Sequence, residues 1–287
     1  MRNYRRLEIE EFGAHLLSSG DLDPVYTTLV RLWEEGTLSA RELYQWLVGY
    51  WSFYSCGTAC YLSEMALAVD FWKVYHESVV NETAPPIGGR WPRGHERRHF
   101  RGKAALKSEA DLYSKYNDDP TRMVAWVMSF PDEERTMTNI SKRVQTHVGF
   151  GPWIGFKVAD MVDRVLGVPV SFSNAEVFMF KDPEKAAWML WNQRMADKYP
   201  PNSVFKREKV LGSVSEYLIN HFSTVLAPPF EDRPVNIQEV ETILCKWKSH
   251  RNGHYPLNND IEDITKGTEP WAKVSPKAER FLEVLNG

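Results

Sequence analysis

The chain has 287 residues, 43% of them hydrophobic and 13% aromatic, with 11 Trp, a composition that excludes a disordered polymer. A formal net charge of −3 excludes a globally basic nucleic-acid binder, so any cationic surface must be local. The 3 cysteines, an odd number, argue against a disulfide framework, and no apolar run approaches the roughly 20 residues that span a bilayer. Met1-Arg2-Asn3-Tyr4-Arg5-Arg6 lacks an apolar signal core, so the expected setting is the cytoplasm, with no membrane partner.

Helix signals dominate. Asp23-Pro24 reads as a cap followed by proline in the first turn, with Val25, Leu29, Leu32 and Trp33 on one face. Ser39-Ala40-Arg41-Glu42 is a capping box that opens an apolar segment through Leu43, Trp46, Leu47 and Tyr50. A further pattern runs from Met65 to Tyr75, and more helices are expected near 108–117, 120–130, 133–147, 183–197, 206–225 and 236–250. Strand alternation is scarce, and Val168 to Phe172 is at most a short extended turn. Breaks at Thr83–Gly89, Pro200-Pro201, Pro228-Pro229 and Gly253–Pro256 are too short for flexible linkers. The expectation is an all-α chain forming one helical unit of two lobes over residues 1–287.

Three stretches carry chemistry. Gly149-Phe150-Gly151-Pro152-Trp153-Ile154-Gly155 lies between two helical patterns, the second carrying Val158, Met161, Val162 and Val165. Paired glycines permit a sharp reversal, and Pro152 suits the first turn of the next helix. Such a turn can present backbone N–H groups and a helix N-terminus to phosphate. It also suits an ordinary tight turn between core helices. The second stretch, Arg90 to Lys103, holds five arginines, a lysine and two histidines against one glutamate. Arginine forks here could grip phosphate, and Trp91 and Phe100 could stack on bases. Glu96 could hold the arginines or accept a proton. The third, Glu241 to Pro256, offers Lys246, Lys248, His250 and His254 as a phosphate-facing patch, with Asp260 and Glu262 placed to orient an amine. Cys245, His250 and His254 lack a fourth ligand for structural zinc, and Cys56 and Cys60 read as small core residues. No metal and no cofactor is expected.

The Gly149–Gly155 string resembles the helix-hairpin-helix of the DNA glycosylase superfamily, over about 136–167. That resemblance implies a two-lobed helical fold and places Gly149, Gly151, Trp153 and Lys157 on DNA. It also marks two departures. Asn174 (or Ser173) stands where the catalytic aspartate belongs, and Trp153 where a bifunctional enzyme has its lysine. An amide cannot serve as a carboxylate base, so glycosidic cleavage is disfavoured.

Trp91-Pro92-Arg93-x-x-Glu96-Arg97-Arg98-His99-Phe100-Arg101-Gly102, the hairpin, and Cys245–His250 with Gly253–Pro256 together resemble the phage amino acid:DNA transferases, also called α-glutamyl/putrescinyl-thymine pyrophosphorylases. The resemblance implies double-stranded DNA carrying phosphorylated 5-hydroxymethyluracil as substrate. An amino acid or polyamine would displace the phosphate at the exocyclic methylene. It assigns Glu96, Arg97, Arg98, His99, Arg101 and Asn174 to catalysis, with Asn174 sparing the glycosidic bond. Trp91, Arg93 and Lys103 would join the hairpin on DNA, Lys246, His250 and His254 would bind substrate, and Glu96, His99 or His254 would take the proton of the attacking amine. A glycosylase and a non-catalytic DNA-binding module are the competing readings; no Gly-x-x-x-x-Gly-Lys-Ser/Thr phosphate loop is present for a kinase.

Overall fold

The structure is a computed structural model that describes residues 4–81, 84, 87–173, 178, 180–198 and 205–287. The fold is all-α. In chain order the helices are α1 (Ile9–Ser19), α2 (Pro24–Glu34), α3 (Ala40–Phe53), α4 (Cys56–Ser63), α5 (Ala68–Val80), α6 (Gly102–Tyr116) and α7 (Arg122–Met128). There follow α8 (Met137–Val144), α9 (Pro152–Arg164), α10 (Lys181–Arg194), α11 (Arg207–His221), α12 (Ile237–Arg251), α13 (Asn259–Ala272) and α14 (Pro276–Asn286). No β-strand forms among the described residues; an isolated antiparallel bridge joins Leu226 and Pro234. No helix of the described residues is long and apolar enough to cross a membrane.

The chain divides into two compact units. One comprises residues 1–24 and 171–260. In it α12 packs on α1, α10 and α11. Asn236 and Glu239 close a capping box at the start of α12, and the buried Glu239 carboxylate pairs with Arg233 at 2.9 Å. The N-terminal segment is pinned to α12: Trp247 Nε1 donates to the Leu7 carbonyl at 3.2 Å.

The other unit comprises residues 25–170 and 261–287. Its centre is α3, where every residue from Leu43 to Phe53 except Tyr44 is buried. A helix apolar on nearly all sides must be surrounded, and α3 packs on α4, α7 and α9. The expected capping box is present, with the Ser39 hydroxyl accepting from Glu42 N and the Glu42 carboxylate from Ser39 N. α2 begins at Pro24, as the Asp23-Pro24 signal predicts. Several expected bounds shift, the helix read over 133–147 spanning Met137–Val144. The helix read from Met65 begins at Ala68, and the helix read from 108 begins at Gly102, inside the basic stretch.

Candidate functional site

α8 and α9 flank a turn from Gln145 to Gly151. Gly149 takes φ +83°, a conformation costly for any residue with a Cβ. Phe150 turns inward and is buried, while Val148, Gly149, Gly151 and Pro152 are exposed. Gly151 caps α9 without a side-chain acceptor and Pro152 fills its first turn, so the α9 N-terminus is not closed by a capping side chain. That leaves orphan N–H groups and the positive end of the helix dipole at an exposed glycine turn. Gly155 permits close approach of α8 and α9, since a Cβ there would stand 2.3 Å from Ser141 Oγ. An alanine there would collide with Ser141.

The basic stretch does not behave as one surface. A short 3-10 turn spans His95–Arg97, and the sequence enters α6 at Gly102. Trp91 has 0% exposure and lies 5.5 Å from the Trp271 ring, and Phe100 is buried as well. Neither ring can stack on a base where it lies, which corrects the expected DNA role of Trp91. Arg93 also points inward. It donates to the carbonyls of Phe100, Pro92 and Ser78, and its guanidinium sits 4.4 Å over the Phe53 ring. Arg97, 7% exposed, donates from Nε to Ser52 O and from Nη1 to Gly149 O, both at 2.7 Å. Its guanidinium lies 4.0 Å over Phe100 and 5.3 Å over Phe150. Burial, which penalises the charged form, lowers the pKa of Arg93 to about 9 and that of Arg97 to about 10. These two arginines are internal struts. Arg97 in particular ties the basic stretch and α3 to the glycine turn, a convergence that sequence spacing does not reveal.

The exposed charged and histidine members are Arg90, His95, Glu96, Arg98, His99 and Lys103. Arg98 donates to the His95 carbonyl at 2.8 Å, and half-buried Arg101 donates to Trp91 O at 2.9 Å. Lys103 lies in the first turn of α6, whose cap carries no side-chain hydrogen bond and whose first turn has no carboxylate.

Beyond the turn, Trp153 is half-buried, with its ring edge-on to Tyr54 at 4.8 Å. Lys157 does not face outward as expected. Its ammonium donates to the Tyr26 hydroxyl at 2.8 Å and lies 3.5 Å from Asp160 Oδ2. Tyr26, Tyr54 and Asp160 were not legible as site residues. The available signal was the set Lys157, Asp160 and Arg164, three charges at helical spacing amid the apolar residues of α9.

In the other unit the C-terminal patch is mostly structural. His250 is wholly buried. Its Nε2 accepts from Leu7 N at 2.9 Å and its Nδ1 donates to Tyr255 O at 2.8 Å, which fixes a neutral ring. Lys246 is held by the carbonyls of Asp21 and Leu22, at 2.6 and 2.7 Å, and by Asp260 at 2.7 Å. Lys248 pairs with Asp182 at 2.7 Å. The substrate roles expected of Lys246 and His250 are therefore corrected: their polar atoms are spent on the fold. Of the three, His254 alone is exposed. Asn174 lies outside the described residues.

The model of the amino acid:DNA transferase family matches residues 18–254. The chain belongs to that family. It is 50% identical, over 99% of its length and 98% of the relative's, to the glycinyltransferase of Pseudomonas phage PaMx11. It is also 24% identical to the putrescinyltransferase of Delftia phage PhiW-14, over 84% of this chain and 72% of that one. The protein is thus a transferase, and the family supplies DNA as its partner. In the transferase, the exposed turn at Gly149–Pro152 and the outward cations Arg98 and Lys103 belong to the same unit.

Proposed function

We propose that this transferase joins glycine, through its amino group, to phosphorylated 5-hydroxymethyluracil in double-stranded DNA. The amine displaces the phosphate or pyrophosphate at the exocyclic methylene and leaves a hypermodified thymine. The observation that carries the choice of amine is the 50% identity, along nearly the whole chain, to a glycinyltransferase. In this reading α8, the turn and α9 act as a helix-hairpin-helix, gripping backbone phosphate through the open α9 N-terminus. The target base leaves the stack so that its 5-substituent can be reached. Arg98, Lys103 and half-buried Arg101 stabilise the departing phosphate. Glu96 and His99, both exposed beside them, hold these cations and the amine in place.

The test is chemical. Duplex DNA carrying phosphorylated 5-hydroxymethyluracil is incubated with the protein and an equimolar mixture of amino acids and polyamines, then digested to nucleosides for mass spectrometry. A glycine adduct supports the proposal. Another amine adduct corrects the donor, abasic sites indicate a glycosylase, and bound but unchanged DNA indicates a non-catalytic module.

A further inference from the structure

The interior of α9 holds three charges to which the reading above gives no task. Among apolar Ile154, Phe156, Val158, Met161 and Val162, the helix places Lys157, Asp160 and Arg164 at steps of three and four residues, on one face. Their side chains are 13%, 3% and 2% exposed. Tyr26 of α2 closes the group. Its hydroxyl donates to Asp160 Oδ2 at 2.5 Å and accepts from Lys157 Nζ at 2.8 Å. Arg164 stands 3.9 Å from Asp160 Oδ1, and the Tyr26 ring lies about 5 Å from both cations. Tyr50 of α3 lies within electrostatic reach of Tyr26, and its ring stands 4.6 Å from that of Tyr54. One turn before Lys157 the same stripe reaches half-buried Trp153, so burial deepens from the glycine turn toward Arg164.

Stability alone is a weak reason for this stripe. Buried ion pairs are often neutral or worse than apolar residues of equal volume. What the stripe offers is a row of exchangeable protons within hydrogen-bond reach, with its least buried charge, Lys157, next to the turn. The reaction proposed above needs such a device, because an amino acid or polyamine arrives as an ammonium without a lone pair to attack with.

The geometry points to Lys157 as the general base that takes the proton from the incoming amine, with Tyr26 and Asp160 as the positioning pair behind it. This rests on the transfer reaction proposed above. The Lys157 ammonium passes one proton to the Tyr26 oxygen as the Tyr26 proton moves to Asp160 Oδ2, leaving Lys157 neutral. Neutral Lys157 then accepts one proton from the substrate ammonium. The freed nitrogen lone pair forms the C–N bond at the methylene while the C–O bond breaks, its electrons leaving on the phosphate oxygen. The product is a secondary ammonium, Lys157 is again charged, and the proton on Asp160 returns to solvent.

Lys157→Arg and Tyr26→Phe separate this role from a structural one. Arginine keeps the charge but cannot become neutral, so kcat should fall at least about 100-fold while DNA affinity stays within about threefold. Phenylalanine keeps the ring and breaks the relay. Its kcat should fall about tenfold or more at neutral pH, with the rising limb of the pH profile displaced upward by about one unit or more. Lys157→Arg with about a third or more of the wild-type kcat, or Tyr26→Phe with an unmoved pH profile, overturns the assignment. So do parallel losses of kcat and DNA binding in both variants. If Lys157→Arg does not fold, the Tyr26→Phe profile decides alone. A wild-type protein that forms no adduct with any amine overturns the transfer reading instead.

Discussion

Gly149→Ala is the sharpest probe of the glycine turn. The backbone there has φ +83°, which costs a residue with a Cβ about 1–2 kcal/mol. The new methyl would also stand 3.2 Å from Ser108 Oγ and 3.3 Å from Phe100 Cε2, so neighbours on α6 and in the basic stretch must give slightly. Relieving the strain by rotating the peptide would break the Arg97 Nη1 bond to Gly149 O, at a cost of about 1–3 kcal/mol for a buried charged donor. Either path destabilises the protein by about 2 kcal/mol. Urea unfolding measures this as a lowered midpoint at unchanged slope. In the same variant, affinity for unmodified duplex DNA should fall about tenfold or more, because the N–H groups at the turn are displaced. Stability lowered by less than about 0.5 kcal/mol together with wild-type DNA affinity would refute the claim that this turn is strained and in contact with DNA.

Arg97→Leu should cost about 2–4 kcal/mol by urea unfolding, since the buried carbonyl of Ser52 and the part-buried carbonyl of Gly149 both lose a donor. Arg98→Ala and Lys103→Ala, at exposed positions, should leave the unfolding midpoint unchanged. Each should weaken DNA binding and reduce the slope of log K against log salt by about one, read by fluorescence anisotropy at several salt concentrations. His147 and His250 both have pKa values lowered chiefly by burial, and each is held neutral by a donor on one ring nitrogen and a carbonyl on the other. A lowered folded-state pKa means that the unfolded chain takes up the proton first. Stability should therefore be full above the ordinary histidine range near 6.5 and fall as pH drops below it. Urea midpoints at pH 7.5 and 5.5 check this, and a higher midpoint at pH 5.5 would contradict it.

The helical class and most element positions were legible because capping and apolar spacing are local properties. Ser39 with Glu42 and Asp23 with Pro24 mark starts that the fold keeps, and the glycines at 149 and 151 mark the turn. The direction in which a cation points is not local. Arg93 and Arg98 belong to one run of arginines, yet one fills the space beneath Phe53 and the other faces solvent. What separates them is the carbonyl that α5 offers nearby, Ser78 O, which accepts from Arg93. His250 and Lys246 misled in the same way: a basic helix end reads as a phosphate patch until the N-terminal segment lies against it and takes up its polar atoms. Tyr26 stayed out of view because its partner Asp160 is 134 residues away.

The central claim is that an amine replaces a phosphate on the base while the base stays on its sugar. The most direct measurement follows isotopically labelled glycine into phosphorylated 5-hydroxymethyluracil DNA while counting phosphate, pyrophosphate and free base released in the same reaction. One phosphate or pyrophosphate should be released for each glycine incorporated, with no free base. Release of free base, or phosphate loss without label in the DNA, would contradict it.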